Sequence, residues 1–328
     1  HATAGKLTID STLGESVDFV NPTTSLTINA GSGDDMVNIA SVDVAYRAAL
    51  TIDGNAGADT ITLDAALTLG SGLIVGNLTV TGETIKLNTN VDTTDGANNV
   101  TTAGSISLNG NVTLGANVTL TTDDGTDGSV VINGMVNSDG TSRLLAIDAG
   151  SGDVTMTGTV GGSAPLSGLT INDADDVSIA AVTTLDNGIT IVTAGASPSV
   201  TLAGNLSTDG TGATNAGNIS ITGPVRLADN VVIDTNNATG NDGTVTFTGM
   251  ASTINATTVG GQSLTIDSGT ANTTLQAIGT VTPLGSLRVV AAGTIIANGN
   301  IVTRDNATID LSGGMLQIAA VSFTLDTT

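Results

Sequence analysis

Five residues near the start of the chain carry the side chains best suited to chemistry: Asn29, Asp34, Asp35, Asp53 and Asp59. Asn29 and Asp53 lie 24 residues apart, and so do Asp35 and Asp59. If the chain retraces its course every 24 residues, each of these pairs stacks at about one inter-strand spacing, roughly 4.8 Å. Carboxylates held so close repel one another unless a cation lies between them. Calcium takes oxygen ligands from carboxylates, amides and backbone carbonyls, so these five residues form a candidate calcium site. The alternative reading is that Asp and Asn stand there as turn formers.

The spacing has meaning only if the chain repeats, and it does. Leu26 opens LTINAGSGDD, Leu145 opens LAIDAGSGD and Leu264 opens LTIDSGT, with 119 residues between successive copies. Leu50, Leu169 and Leu287 repeat at 119 and 118 residues. Units of apolar, polar, apolar type, such as Leu50-Thr51-Ile52 and Leu78-Thr79-Val80, read as short strands with one buried face, separated by Gly, Asn, Asp and Ser turns. Between Gly104 and Leu120 the apolar residues Ile106, Val112 and Val118 are six apart, and Leu108, Leu114 and Leu120 follow each by two. Six residues per side is the spacing of faces around a solenoid coil.

These patterns predict an all-β chain, a single-stranded parallel β-helix. It forms one continuous solenoid over 1–328, with repeats at about 26–144, 145–263 and a partial 264–328. A coil of 24 residues implies fourteen to sixteen coils and a rod of roughly 70 Å. The alternative is a string of β-sandwich modules of about 119 residues. Leu7-Thr8-Ile9 reads as the first stacked strand, and no terminal cap is evident. The helix-forming cluster VDVAYRAAL, Val42 to Leu50, belongs to a loop or a short helix.

Composition narrows the function. With one Tyr, three Phe and no Trp, the core must be aliphatic, which suits a slender stack. Seven Lys plus Arg against thirty Asp plus Glu gives a net charge of −23, which disfavours nucleic acid and anionic membranes as partners. No apolar run is long enough to span a bilayer as a helix, so membrane insertion is not expected. With no Cys, thiolate and disulfide chemistry are absent. The one His is His1, no carboxylate pair stands out as acid and base, and aromatic sugar platforms are missing, so no enzyme activity and no catalytic residue are expected. The alternative is a β-helix enzyme acting on polysaccharide. The densest acidic group, Asp173, Asp175 and Asp176, reads as a solvated corner loop. In the second repeat Asp153 and Asp176 fall slightly out of the 24-residue register.

Phrases such as GDVTMTGTVGGSAPLSGLTIN (152 to 172) and DGTVTFTGMAS (242 to 252) resemble the strand repeats of bacterial exoproteins of the filamentous-haemagglutinin and autotransporter-adhesin type. The resemblance implies a right-handed single-stranded parallel β-helix and an extracellular, secreted or cell-surface protein used for adhesion or surface structure. Locally, residues 30–38 and 54–62 resemble the calcium-binding nonapeptides of RTX proteins, although those repeat every nine residues and these lie 24 apart. The expected function is that of a non-enzymatic structural subunit that stacks head to tail into a filament or layer. The alternative is an adhesin passenger fragment that binds a host or glycan ligand.

Overall fold

In the computed structural model, residues 5–10, 14–72, 74–94, 102–195, 197–210, 213–249 and 252–327 are described. They form strands joined by turns, with no helix among them. The fold is a β-solenoid of about 12 turns whose stacked strands all pair in parallel. Each turn lays down up to three short strands, one on each of three faces. The first face runs from Ser25–Asn29 to Leu325–Thr327 in twelve steps. The second begins at Met36–Ile39 and ends at Ile309–Asp310, crossing the middle of the rod through the bridges Val136 to Val160 to Val182. The third begins at Leu67–Thr68 and ends at Met315–Ile318.

Two-residue alternation makes this possible. In the strand Leu78–Leu87 the inward residues Leu78, Val80, Ile85 and Leu87 are fully buried, while Thr79, Thr81 and Lys86 point outward. Residues 106, 112 and 118 fall on the first, second and third faces, as their six-residue spacing predicts. Leu26 stacks on Leu50, and Leu145 on Leu169. Most buried aliphatics therefore stack on another apolar residue in the next coil, and the core is a continuous cluster dominated by Val, Ile and Leu. Removing about 25 cal/mol per Å² of apolar surface from water, in an interior a few side chains wide, is what holds turns that have no helix to brace them.

Three expectations need correction. The solenoid has about 12 turns rather than fourteen to sixteen, which at about 4.8 Å per turn gives roughly 58 Å. Coils are not uniform: Leu169 stacks on Ile189, a short step, whereas Val231 stacks on Leu264, a long one whose excess lies in corner loops. Leu7-Thr8-Ile9 is not stacked. Lys6–Asp10 pairs antiparallel with Ser16–Val20 in a hairpin outside the ladder. That hairpin leans over the N-terminal end, so one end is partly capped. Val42 to Leu50 is turn and strand. Within it Tyr46 is buried, donates its hydroxyl to Ala49 O at 3.0 Å and is pushed by burial to a pKa of about 12.

The long sequence repeat does not match a whole number of turns. Leu26 lies on the first face, Leu145 on the third and Leu264 on the second. Counted by strand positions, successive copies stand four and two-thirds turns apart. Every recurring phrase thus reappears displaced by two faces around the axis.

Candidate functional site

A parallel ladder satisfies backbone groups along each face but leaves N–H groups unpaired where the chain turns a corner. Asn and Asp side chains fill that gap. Asn77 Oδ1 accepts from Ser105 N at 2.8 Å, Asn117 Oδ1 from Leu144 N at 3.0 Å, and Asn218 Oδ1 from Thr244 N at 2.8 Å. Each bond reaches one coil onward. The abundant Asn is thus a rung between coils as well as a turn former.

The five residues nominated by spacing sit at the corner after the first face. Asn29 stacks on Asp53 in register. Asp35 lies over Asp59, its N–H donating to Asp59 Oδ1 at 2.9 Å, and Asp34 Oδ1 accepts from Ala58 N at 2.8 Å. Asp53 Oδ1 accepts from Asn55 N at 3.0 Å, which holds Asn55 at φ 68°. The ladder has a third rung that spacing did not nominate: Asp59 N–H donates to Glu83 Oε2 at 2.7 Å. Asp59 is 2% exposed, and its Oδ2 is buried with no hydrogen-bond partner, as is Oδ2 of Asp35. Asp59 Oδ2 packs against the backbone of Gly54, where a side chain would not fit. Among the described residues, no group of three or more His, Cys, Asp or Glu side chains is gathered closely enough to hold a metal ion.

A second concentration of charge lies elsewhere. At the corner after the third face, Asp148 stacks on Asp173, and Asp123 and Asp127 come from the coil before. Asp127 Oδ2 accepts from both Ser151 N at 2.6 Å and Ser151 Oγ at 2.7 Å, and Asp127 Oδ1 accepts from Asp124 N at 2.6 Å. Gly150, at φ 58°, makes room: a Cβ there would lie 2.5 Å from Asp127 Oδ2 and 2.6 Å from Asp123 Oδ1. Burial raises the pKa of Asp123, and the charges of Asp148, Asp127 and Asp173 raise it further. Burial and then Asp173 and Asp127 do the same to Asp148. Asp173 is raised by burial against one opposing backbone N–H, and its Oδ1 has no partner. Two ion pairs among the described residues, Arg143 with Asp139 and Arg288 with Asp310, are elsewhere.

This corner recurs one long repeat later, after the second face. Asp242 Oδ2 accepts from Thr270 N and Oγ1, both at 2.7 Å, as Asp127 does from Ser151. Gly269, at φ 55°, stands where Gly150 does. Asp234 is raised by burial and, less strongly, by Asp267 and Asp209. Asn236 and Asn237 occupy the positions of Asp123 and Asp124, so the second copy carries less charge.

The Asp123, Asp127, Asp148, Asp173 group is not apparent from a constant 24-residue register, because Asp123 to Asp148 and Asp148 to Asp173 are each 25 residues apart. The signal was there in another form: Asp148 belongs to the same repeated phrase as Asn29, and Asp127 stands 24 residues before Ser151. Asp175 and Asp176 also differ from a solvated loop. Asp175 Oδ1 is buried without a partner against Gly195, and Asp176 Oδ1 accepts from Ser199 Oγ at 2.7 Å. Asp153 and Asp176 are in register after all, since that coil is 23 residues long; Asp176 N donates to Asp153 Oδ1 at 3.2 Å. His1 lies outside the described residues. The chain matches no family model, no curated protein and no solved structure with which it was compared.

Proposed function

We propose that this chain is a non-enzymatic structural protein, an extracellular β-solenoid that associates end to end into a filament or surface layer. The observation that carries the reading is the ladder itself, about 12 turns whose strands stack in parallel and in register on three faces. Every coil of such a ladder offers its strand edges and its apolar layer to the next, so a second copy can continue the stack head to tail, a non-closing contact that grows a filament. Leu316, Ile318 and Leu325, on the last described coil, are 38%, 52% and 49% exposed. A cysteine-free, strongly acidic rod with a largely aliphatic core suits an exposed scaffold.

Electron microscopy and sedimentation of the purified chain test this. Rods several monomers long are expected, and Ile318→Lys with Leu325→Lys should hold the protein as monomers with an unchanged circular dichroism spectrum. Monomers of the unsubstituted chain at all concentrations would replace this reading with that of an adhesin passenger.

Calcium at the first corner is the second part of the proposal, favoured by the two partnerless buried oxygens of Asp35 and Asp59; with fewer than three acidic side chains gathered there, its other ligands would be amide, backbone or water oxygens. Calorimetric titration should show one calcium per chain, lost in Asp59→Asn. Identical heats for the two proteins up to millimolar calcium would remove the ion.

A further inference from the structure

The corner after the third face holds carboxylates that are short of donors. Asp127 is well supplied, since its two oxygens accept from Ser151 N, Ser151 Oγ and Asp124 N. Asp123 and Asp148, both half-buried, accept no hydrogen bond, and Oδ1 of Asp173 is buried without a partner. The charged groups facing Asp148 and Asp123 are Asp173 from the coil after and Asp127 and Asp124 from the loop 123–128 of the coil before. None of them is a cation. Burial first, and then these neighbouring charges, favours the protonated form of Asp123 and Asp148.

The same phrase one long repeat later shows that the fold does not impose this shortage. Asp267, the counterpart of Asp148, accepts from Gly269 N at 3.1 Å, and Asp234, stacked on it from the coil before, accepts from Asn236 N at 3.0 Å. On the other side Asp267 faces Ala291, whereas Asp148 faces Asp173. The first copy therefore combines a facing acid with a missing donor. Its backbone ladder is also irregular at that point: the register slips between Ile147 and Asp148, where Asn172 is the extra residue of a bulge. A side-chain bond across this step has most to add.

We propose that Asp148 and Asp173 form a proton-operated clasp between two coils. One proton taken from solvent converts Asp148 to a carboxylic acid, whose O–H donates to Oδ1 of Asp173; no other bond is made or broken. The proton thus supplies the donor that the buried oxygen lacks, and the bond it makes to a carboxylate is of the strong, charge-assisted kind. Closing it fastens Leu144–Asp148 to Leu166–Asp173 across the slipped register. Asp127 keeps its donors in either state and holds the loop 123–128 against Ser151. Acid closes the clasp and neutral solution opens it, so this part of the rod is tied more firmly as the pH falls. The device rests neither on end-to-end assembly nor on calcium at the first corner.

Two substitutions that both remove the charge separate a clasp from simple relief of repulsion. Asp148→Asn keeps a donor where the acid would have one, and Asp148→Ala has none. In thermal unfolding of the full chain at neutral pH, the Asn variant should melt several degrees above the Ala variant, and that advantage should vanish in an Asp173→Ala background. On mild acidification the unsubstituted chain should converge on the Asn variant. Equal melting of the Asn and Ala variants, or an advantage that survives Asp173→Ala, would overturn the proposal. Carboxyl-carbon NMR of the unsubstituted chain gives a reading that requires no variant to fold. Asp148 and Asp173 should titrate as one coupled pair in two separated steps; two independent steps at the ordinary carboxylate value would equally overturn it.

Discussion

At the scale of single residues, corner threonines and aspartates decide local stability in opposite ways. Thr122 is fully buried and donates its hydroxyl to Gly128 O at 2.6 Å, closing the loop that carries Asp123 and Asp127. Thr235 makes the equivalent bond to Gly243 O at 2.5 Å. Thr122→Val keeps the shape but strands a buried carbonyl, so denaturant unfolding should show a loss of about 1–3 kcal/mol. Asp148 works the other way. Its pKa in the folded protein lies above that of the unfolded chain, so ionisation disfavours the fold. This corner therefore gains stability as pH falls through the folded pKa and loses it as pH rises. Asp148→Asn should raise the melting temperature at pH 7 and flatten its rise on mild acidification. An unchanged profile would show that the corner is already neutralised. The opposite sign applies to Asp43, held below the ordinary carboxylate value by the N–H groups of Ala45 and Gly5: its contribution is present above that value and is lost in stronger acid.

At the scale of elements, the strands were legible and the corners were not. Apolar alternation marked the strands, and the six-residue offset of Ile106, Val112 and Val118 marked successive faces of a coil. Corner loops vary between coils, so periodicity could fix neither their lengths nor the number of turns. Leu7-Thr8-Ile9 has the same composition as a stacked strand, yet it pairs with Ser16–Val20 instead of entering the stack. Half of the candidate site was visible: Asn29 over Asp53 and Asp35 over Asp59 follow from a constant 24-residue coil. Asp123 and Asp127 are joined to Asp148 and Asp173 by the fold of a loop. Corners also contain columns of glycine that spacing alone does not single out. At Gly134, φ 153°, an added Cβ would collide with the carbonyl of Gly110 one coil away. Gly134→Ala should therefore force the coils apart and lower the thermal midpoint by several degrees, more than Ala does at Gly140, which has open space around it.

At the scale of the molecule, the surface is set by the mismatch between the long repeated phrase and the turn. Excising 145–263 would let Leu264 enter the slot of Leu145 on the third face, so the stack would close without a fault. Everything downstream would nevertheless point along a new bearing, a third of a circle away. Gain or loss of a block therefore re-aims the rod's far end while leaving its cross-section alone, and only three blocks together restore the original heading. A lineage that varies this chain by whole blocks has a compass with three settings.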